Sequence, residues 1–364
     1  MGAAGTLFRY LVARVAGSAI GVLCALMVLV FLVDLVELLR SLGNRPGVEM
    51  SDILLMAFMR APKLAEQLMP FVFLFGCMWA MANLNRRSEL VVMRAAGLSA
   101  WRIMEPALAV AVAAGLVLVL VINPLGADLM DRAERLRASS SGDTESLVSL
   151  TAGGLWLRQS DGQRTATIHA ARVEEKGEFL EDITVFLYDQ NEAFQRRIDA
   201  ETGQLREGDL NLFDCYVNSP DEGTVFQAKY SLSTPFSQDR LREGAAAPET
   251  MSIWELPAFI RLAKDAGFPA VRHEMHWHNL IATPFKLCAM ALIAGAFAIQ
   301  QRRGGGTVRL VMLGVGAGFG LYVAAELAEA MGESVLNLAP LAAWTPTIVA
   351  SLLAATLILH VEDG

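Results

Sequence analysis

The sequence contains no G-x-x-x-x-G-K-[ST] and no H-E-x-x-H. The first absence excludes a P-loop that cradles nucleotide phosphates, and the second excludes a zincin-type helix. No nucleophile is set beside a base, so neither catalysis nor a cofactor is expected. Cysteine is scarce: Cys24, Cys77 and Cys288 lie in apolar runs, leaving Cys215 alone in the polar middle, where no disulfide can form. Charged residues are 19% of the chain and the formal net charge is −8, which gives no basis for a nucleic-acid partner. "HEMHWH" places His273, His276 and His278 close together. A metal site is conceivable there, but beside Trp277 at the edge of an apolar run an interfacial belt fits better, and no metal is expected. "RRGGGTVR" (302–309) is glycine-rich without a P-loop lysine, and reads as a tight turn between apolar runs.

Apolar residues are what the chain has in plenty: 54% of it is hydrophobic, with a mean hydropathy of +0.41. A bilayer core of about 30 Å needs around 20 apolar residues per helix. Six stretches qualify, near 11–38, 53–84, 101–126, 277–299, 309–331 and 340–360. The first begins behind Arg9 and Arg14 as a signal peptide would, but continues to Val33 without a small-residue cleavage site, and reads as an uncleaved span. With the N-terminus inside, the short inner loops hold Arg9, Arg14, Arg86, Arg87, Arg94, Arg102, Arg302, Arg303 and Arg309, against Arg40 and Arg45 outside. That asymmetry places both termini in the cytoplasm and the polar middle outside.

The middle alternates apolar and polar residues through "GLWLR", "TATIHA", "DITVFLYD", "FQRRIDAE", "LNLFDCYV" and "TVFQAKYSL", with "SDGQ" and "TGQ" as turns. Period two with branched and aromatic residues predicts many short strands, hence a sandwich or jelly roll. Trp156, Ile168, Val185, Leu187 and Phe213 are the expected inward face. After it, Ser252 to Glu255 forms a capping box opening a short stalk helix that ends near Gly267.

Between the second and third spans lies "NRRSELVVMRAAGLS" (85–99), which predicts a compact helix. Ser88 is the N-cap, Glu89 sits where the helix dipole favours it, and Gly97 is the stop. One reading lays it on anionic lipid through its arginines. The other makes it a coupling helix that docks on a cytoplasmic ATPase through Arg87, Glu89, Leu90, Met93 and Arg94.

This stretch closely resembles the connector of the YjgP/YjgQ permeases, LptF and LptG, of the lipopolysaccharide export transporter. "APK" and "MPF" in span two, "NPLG" closing span three, "GGLWLR", "MSIWELPAFI" and "TPFKL" extend the likeness over the whole chain. "GLWLR" and "SIWELP" are more similar to LptG than to LptF. The resemblance implies an α-helical membrane protein with six transmembrane helices and an inserted all-β periplasmic jelly roll, in the bacterial inner membrane. Residues 1–130 would hold spans one to three with the coupling helix at 86–97, 131–270 the β-domain and stalk, and 271–364 spans four to six. It implies a permease subunit of an ABC transporter, itself non-catalytic, that takes lipopolysaccharide from the membrane toward a β-jelly-roll bridge. The implied partners are an LptF-like sister permease, an LptB-like ATPase dimer that Glu89 would contact, and an LptC-like single-span bridge protein.

Charges at membrane depth are costly and usually functional. Asp34, Glu37 and Arg40 end span one, Arg60, Lys63 and Glu66 share a face of span two, and Arg132 and Arg135 follow span three. Internal pairing of Asp34 or Glu37 with Arg60 or Lys63 is one expectation. The resemblance implies the other, with Arg40, Lys63, Arg132 and Arg135 gripping the phosphates of lipid A. Asp34 stands where a basic residue is expected in the closest relatives, which weakens or shifts the grip at span one. Gly314, Gly316, Gly318 and Gly320 in span five fit helix packing or a gate against the sister subunit. Glu326 and Glu329 near its outer end have no assigned role. The rival classes are a membrane-anchored scaffold or sensor with an outer β-domain, and a secondary transporter, which would want its charges nearer the midplane.

Overall fold

The computed structural model describes residues 3–43, 48–141, 147–151, 154–160, 165–174, 179–189, 193–206, 209–220, 223–234, 247–265, 270–299, 307–331 and 339–363. The chain divides into two compact units. One comprises Met1–Asn44, Glu49–Met130 and Glu274–Gly364, and the other Arg45–Val48 and Asp131–His273.

The helical unit opens with α1 (Ala3–Leu42) and α2 (Met50–Arg86). At 1.5 Å per residue, the 40 residues of α1 extend roughly 60 Å, about twice a bilayer core. A short α3 (Glu89–Ala95) leads to α4 (Ala100–Val117). That helix passes through a π turn, Leu118–Ile122, into α5 (Asn123–Ser141). The π turn has a local cause: Pro124 brings no N–H, and the Asn123 N–H bonds five residues back to the Leu118 carbonyl.

Five stretches, Gly5–Leu42, Met50–Arg86, Ala100–Arg137, Val271–Ala298 and Ala339–His360, are long and apolar enough to cross a membrane. They lie in α1, α2, α4 with α5, α7 (Val271–Ile299) and α9 (Ala339–Asp363). The fifth expected span is α8 (Thr307–Met331), which contains the shorter apolar stretch Met312–Ala328. The turn at 302–306 lies outside the described residues.

Leu11 and Val15 of α1, Phe73, Leu74, Cys77 and Met81 of α2, Ile103 and Met104 of α4, and Leu287 and Met290 of α7 form one buried core. Gly76 permits a close approach of α1 to α2, because a Cβ there would sit 2.8 Å from the Ala19 Cα.

The second unit is an antiparallel sheet inserted between the helices, with seven described strands. These are β1 (Leu147–Thr151), β2 (Gly154–Ser160), β3 (Thr165–Glu174), β4 (Phe179–Tyr188), β5 (Phe194–Arg206), β6 (Asp209–Ser219) and β7 (Gly223–Ser233). Each pairs with its sequence neighbour, in the order β1 to β7. The connectivity of these strands is therefore a meander, where a jelly roll in the Greek-key sense would interleave distant strands. The sheet wraps on itself at one corner. The Gln159 side-chain amide Nε2 of β2 donates to the Ser233 carbonyl of β7 at 3.0 Å, and Thr234 Oγ1 donates to Gln159 Oε1 at 2.6 Å.

The buried face carries the row Leu157, Ile168, Val185, Ile198 and Val217, paired across consecutive strands. Trp156 and Phe213, expected on that face, lie on the other. Trp156 is flanked by buried Leu155 and Leu157, and Phe213 follows buried Leu212, so parity turns both aromatic rings outward. "TGQ" is not a turn either. Thr202, Gly203 and Gln204 continue β5, and the bare Gly203 leaves room for the side-chain ends of Ile183 and Leu212, the latter with Cδ2 3.1 Å from where a Cβ would sit. Burial pushes the Cys215 thiol up, as expected of an inert core sulfur.

After the sheet in the chain, the Glu255 carboxylate accepts from the Ser252 N–H at 3.0 Å and from its hydroxyl at 2.8 Å. That closure opens α6 (Leu256–Asp265). Gly267 lies outside the described residues.

Candidate coupling and lipid-contact sites

The connector α3 is clamped at both ends by local chemistry. Ser88 is the N-cap residue of α3, as expected, but takes a left-handed backbone, φ 60°, that turns the chain out of α2, and its side chain makes no capping bond. Its carbonyl instead accepts from the Val92 N–H at 3.1 Å. At the other end Gly97, φ 84°, closes a Schellman motif. There the Leu98 N–H bonds the Met93 carbonyl at 3.1 Å and the Gly97 N–H bonds the Arg94 carbonyl at 3.0 Å. Ser99 then caps α4, its hydroxyl accepting from the Arg102 N–H at 3.2 Å. Three consecutive devices leave this connector little freedom.

Its faces differ from expectation. Leu90 and Met93 are buried in the chain's own core, 4% and 8% exposed, and offer no surface for docking. Val91 and Val92, 47% and 65% exposed, carry the outward apolar surface, with Arg87 exposed and Arg94 half-buried. Four consecutive apolar residues, Leu90 to Met93, surround the helix, so periodicity alone could not choose the face. Glu89 is half-buried and accepts a hydrogen bond from the Tyr10 hydroxyl of α1 at 2.7 Å. Sequence reasoning missed Tyr10, which lies 79 positions away with no local signal.

The candidate lipid-contact cations separate into two kinds. Arg40 is exposed in the last turn of α1, and Arg132 and Arg135 are exposed on one face of α5, Arg135 bonding Asp131 at 2.9 Å. Lys63 is buried at 6% exposure, with its ammonium 3.1 Å from Glu66, which also accepts from the buried Asn123 amide at 3.3 Å. Arg60 pairs with buried Asp34 at 3.0 Å, so the expected internal pairing of span one with span two is present. Arg40 and Lys63 belong to the helical unit, and Arg132 and Arg135 to the other.

Two of the three clustered histidines are engaged with rings. His273 lies 4.5 Å from the Phe259 ring and His278 5.0 Å from Trp277. Among the described residues no group of three His, Cys, Asp or Glu side chains is placed to hold a metal ion.

A family model described as "Lipopolysaccharide export system permease LptF/LptG" matches residues 9–360. The chain belongs to this family. It is similar to the lipopolysaccharide export system permease protein LptG of Haemophilus influenzae, 25% identical over 334 residues that cover 88% of this chain and 89% of that protein. The protein of the same name from Escherichia coli K12 is also 25% identical over 334 residues, covering 88% of each chain.

Span five of this LptF/LptG permease sorts its glycines into two faces. Gly314 and Gly318 lie against α2, where an added Cβ would meet Met78 Cε at 2.8 Å and crowd Leu74. Gly316 and Gly320 face open space. The first pair is packing, as small residues four apart allow. The second leaves a bare strip. Glu326 is exposed, and the Glu329 side chain lies outside the described residues.

Proposed function

We propose that this LptG-like permease is the non-catalytic membrane subunit of an ABC transporter. It extracts lipopolysaccharide from the bacterial inner membrane and passes it to a periplasmic β-jelly-roll bridge. An LptF-like sister permease completes the membrane part, and an LptC-like single-span protein carries the bridge. An LptB-like ATPase dimer in the cytoplasm supplies the force. Each methylene taken from lipid to water costs about 0.8 kcal/mol, so one acyl chain of a dozen carbons costs roughly 10 kcal/mol. Several chains cannot be drawn through water on that scale. They pass from bilayer to apolar cavity, and then to the apolar face of the sheet.

The observation that carries this reading is the connector. A helix fixed by Ser88, Gly97 and Ser99 between two membrane-length helices moves as a rigid piece, and it presents Val91, Val92 and Arg87 outward. Glu89 offers its carboxylate to a cation of the ATPase. Arg40, Arg132 and Arg135 supply exposed cations for lipid phosphates. Lys63 joins them only by exchanging Glu66 for a phosphate. The open strip at Gly316 and Gly320 receives a helix of the sister permease.

Glu89→Lys tests the reading directly. The variant is expected to insert and fold but to copurify with little ATPase and to export little lipid. Full ATPase recovery and normal export would remove α3 from the mechanism.

A further inference from the structure

We infer that Tyr10 is the positioning residue that ties the connector to the first span, so that a displacement of α3 reaches α1 as well as the two helices it joins. The inference rests on α3 being the ATPase-facing element. Backbone continuity links α3 to α2 through Ser88 and to α4 through Gly97 and Ser99. Helix α1 packs through Leu11 and Val15 on the core it shares with α2 and α4, and a polar side-chain bond to α3 itself adds a direct, directional link to those apolar contacts.

Such a link is present. The Tyr10 hydroxyl donates to Glu89 Oε2 at 2.7 Å and accepts from Arg14 Nε at 3.0 Å. The Arg14 guanidinium carbon lies 5.2 Å from the Tyr10 ring centroid, and the ring packs against the helical core. One hydroxyl thus uses its donor on an anion and a lone pair on a cation, and bonds to ions are roughly twice as strong as neutral ones. Arg14 also lines, with Gly17, Gly21, Trp79 and Asn83, a cavity of about 560 Å³ between α1 and α2. The relay therefore runs from the connector to the α1 wall of that cavity. Glu89 retains acceptor capacity for a partner's cation while Tyr10 is bound.

The test uses the complete transporter, with sister permease and ATPase, in vesicles containing lipopolysaccharide. Tyr10→Phe keeps the packed ring and removes only the hydroxyl. The ATPase is expected to copurify in full and to keep hydrolysing, while lipid exported per ATP falls at least about tenfold, the factor for one lost ion-assisted hydrogen bond. Arg14→Gln should give part of that loss, and the double variant no more than Tyr10→Phe alone, because the two act in series. A merely structural tyrosine would lower thermal stability and leave lipid per ATP unchanged, and that result overturns the inference. Loss of ATPase from the Tyr10→Phe complex overturns it as well, since Tyr10 would then belong to the docking surface. Retention of the ATPase by the Glu89→Lys complex removes the underlying reading instead, whichever way Tyr10 behaves.

Discussion

At the scale of single residues, the charges at membrane depth show how much an internal partner matters. Asp34 and Lys63 have equal exposure, 6%, and each faces an opposite charge from span two, Arg60 for the first and Glu66 for the second. An unpaired ion there would be expensive, and breaking a buried pair leaves that cost behind. Asp34→Ala is therefore expected to destabilise the helical unit by about 2–3 kcal/mol, below the 3–5 of full burial because Arg60 is partly exposed. Thermal unfolding in detergent measures it, and the exchange of Asp34→Arg with Arg60→Asp should restore part of the loss. An unchanged melting temperature would mean that the pair contributes nothing. Pairing of span one with span two was legible from the spacing of Arg60, Lys63 and Glu66. The burial of Lys63 was not, because a cation near an outer leaflet can either pair inward or reach a phosphate, and sequence spacing is the same for both.

At the scale of elements, the connector shows where sequence signals are strong and where they fail. Gly97 as the stop was legible because only glycine takes φ 84° without strain, whereas the exposed face was hidden by four apolar residues in a row. The strands are legible as strands from period two, but Leu155 and Leu157 beside Trp156, and Leu212 beside Phe213, are apolar in the opposite parity, and that parity takes the buried face. "TGQ" reads as a turn because a glycine in mid-strand carries no mark of the Ile183 and Leu212 side chains that fill the space over it. The connector yields its own prediction. Gly97→Ala keeps every contact but forces a Cβ into the left-handed region, at a cost of about 1 kcal/mol or more. If stiffness of α3 transmits force, this variant should bind the ATPase normally and couple hydrolysis to export less well. Coupling at the parental level would show that the Schellman closure is not required for transmission.

At the scale of the whole molecule, the chain carries two units with separate cores, one of helices and one of strands. Stability is then not a single quantity, because a unit can open without the other. The corner at Gln159 is the point to test. Its amide joins the end of β2 to Ser233, the last residue of β7, and to Thr234 just beyond it, and both Gln159 and Thr234 are buried. Much of β7 is otherwise exposed along its length, from Gly223 to Lys229. On the proposed function the sheet admits acyl chains and is not sealed everywhere, and a polar clasp at one corner would let it hold its curl while the rest of that strand stays uncovered. Gln159→Ala removes two hydrogen bonds and is expected to cost about 1–3 kcal/mol, confined to the sheet. Amide hydrogen exchange on the full chain in detergent should then show faster exchange in β7 and unchanged protection in α2 and α7. Equal loss of protection in both units would mean that the two cores unfold together, and the clasp would have no separate part in holding the sheet.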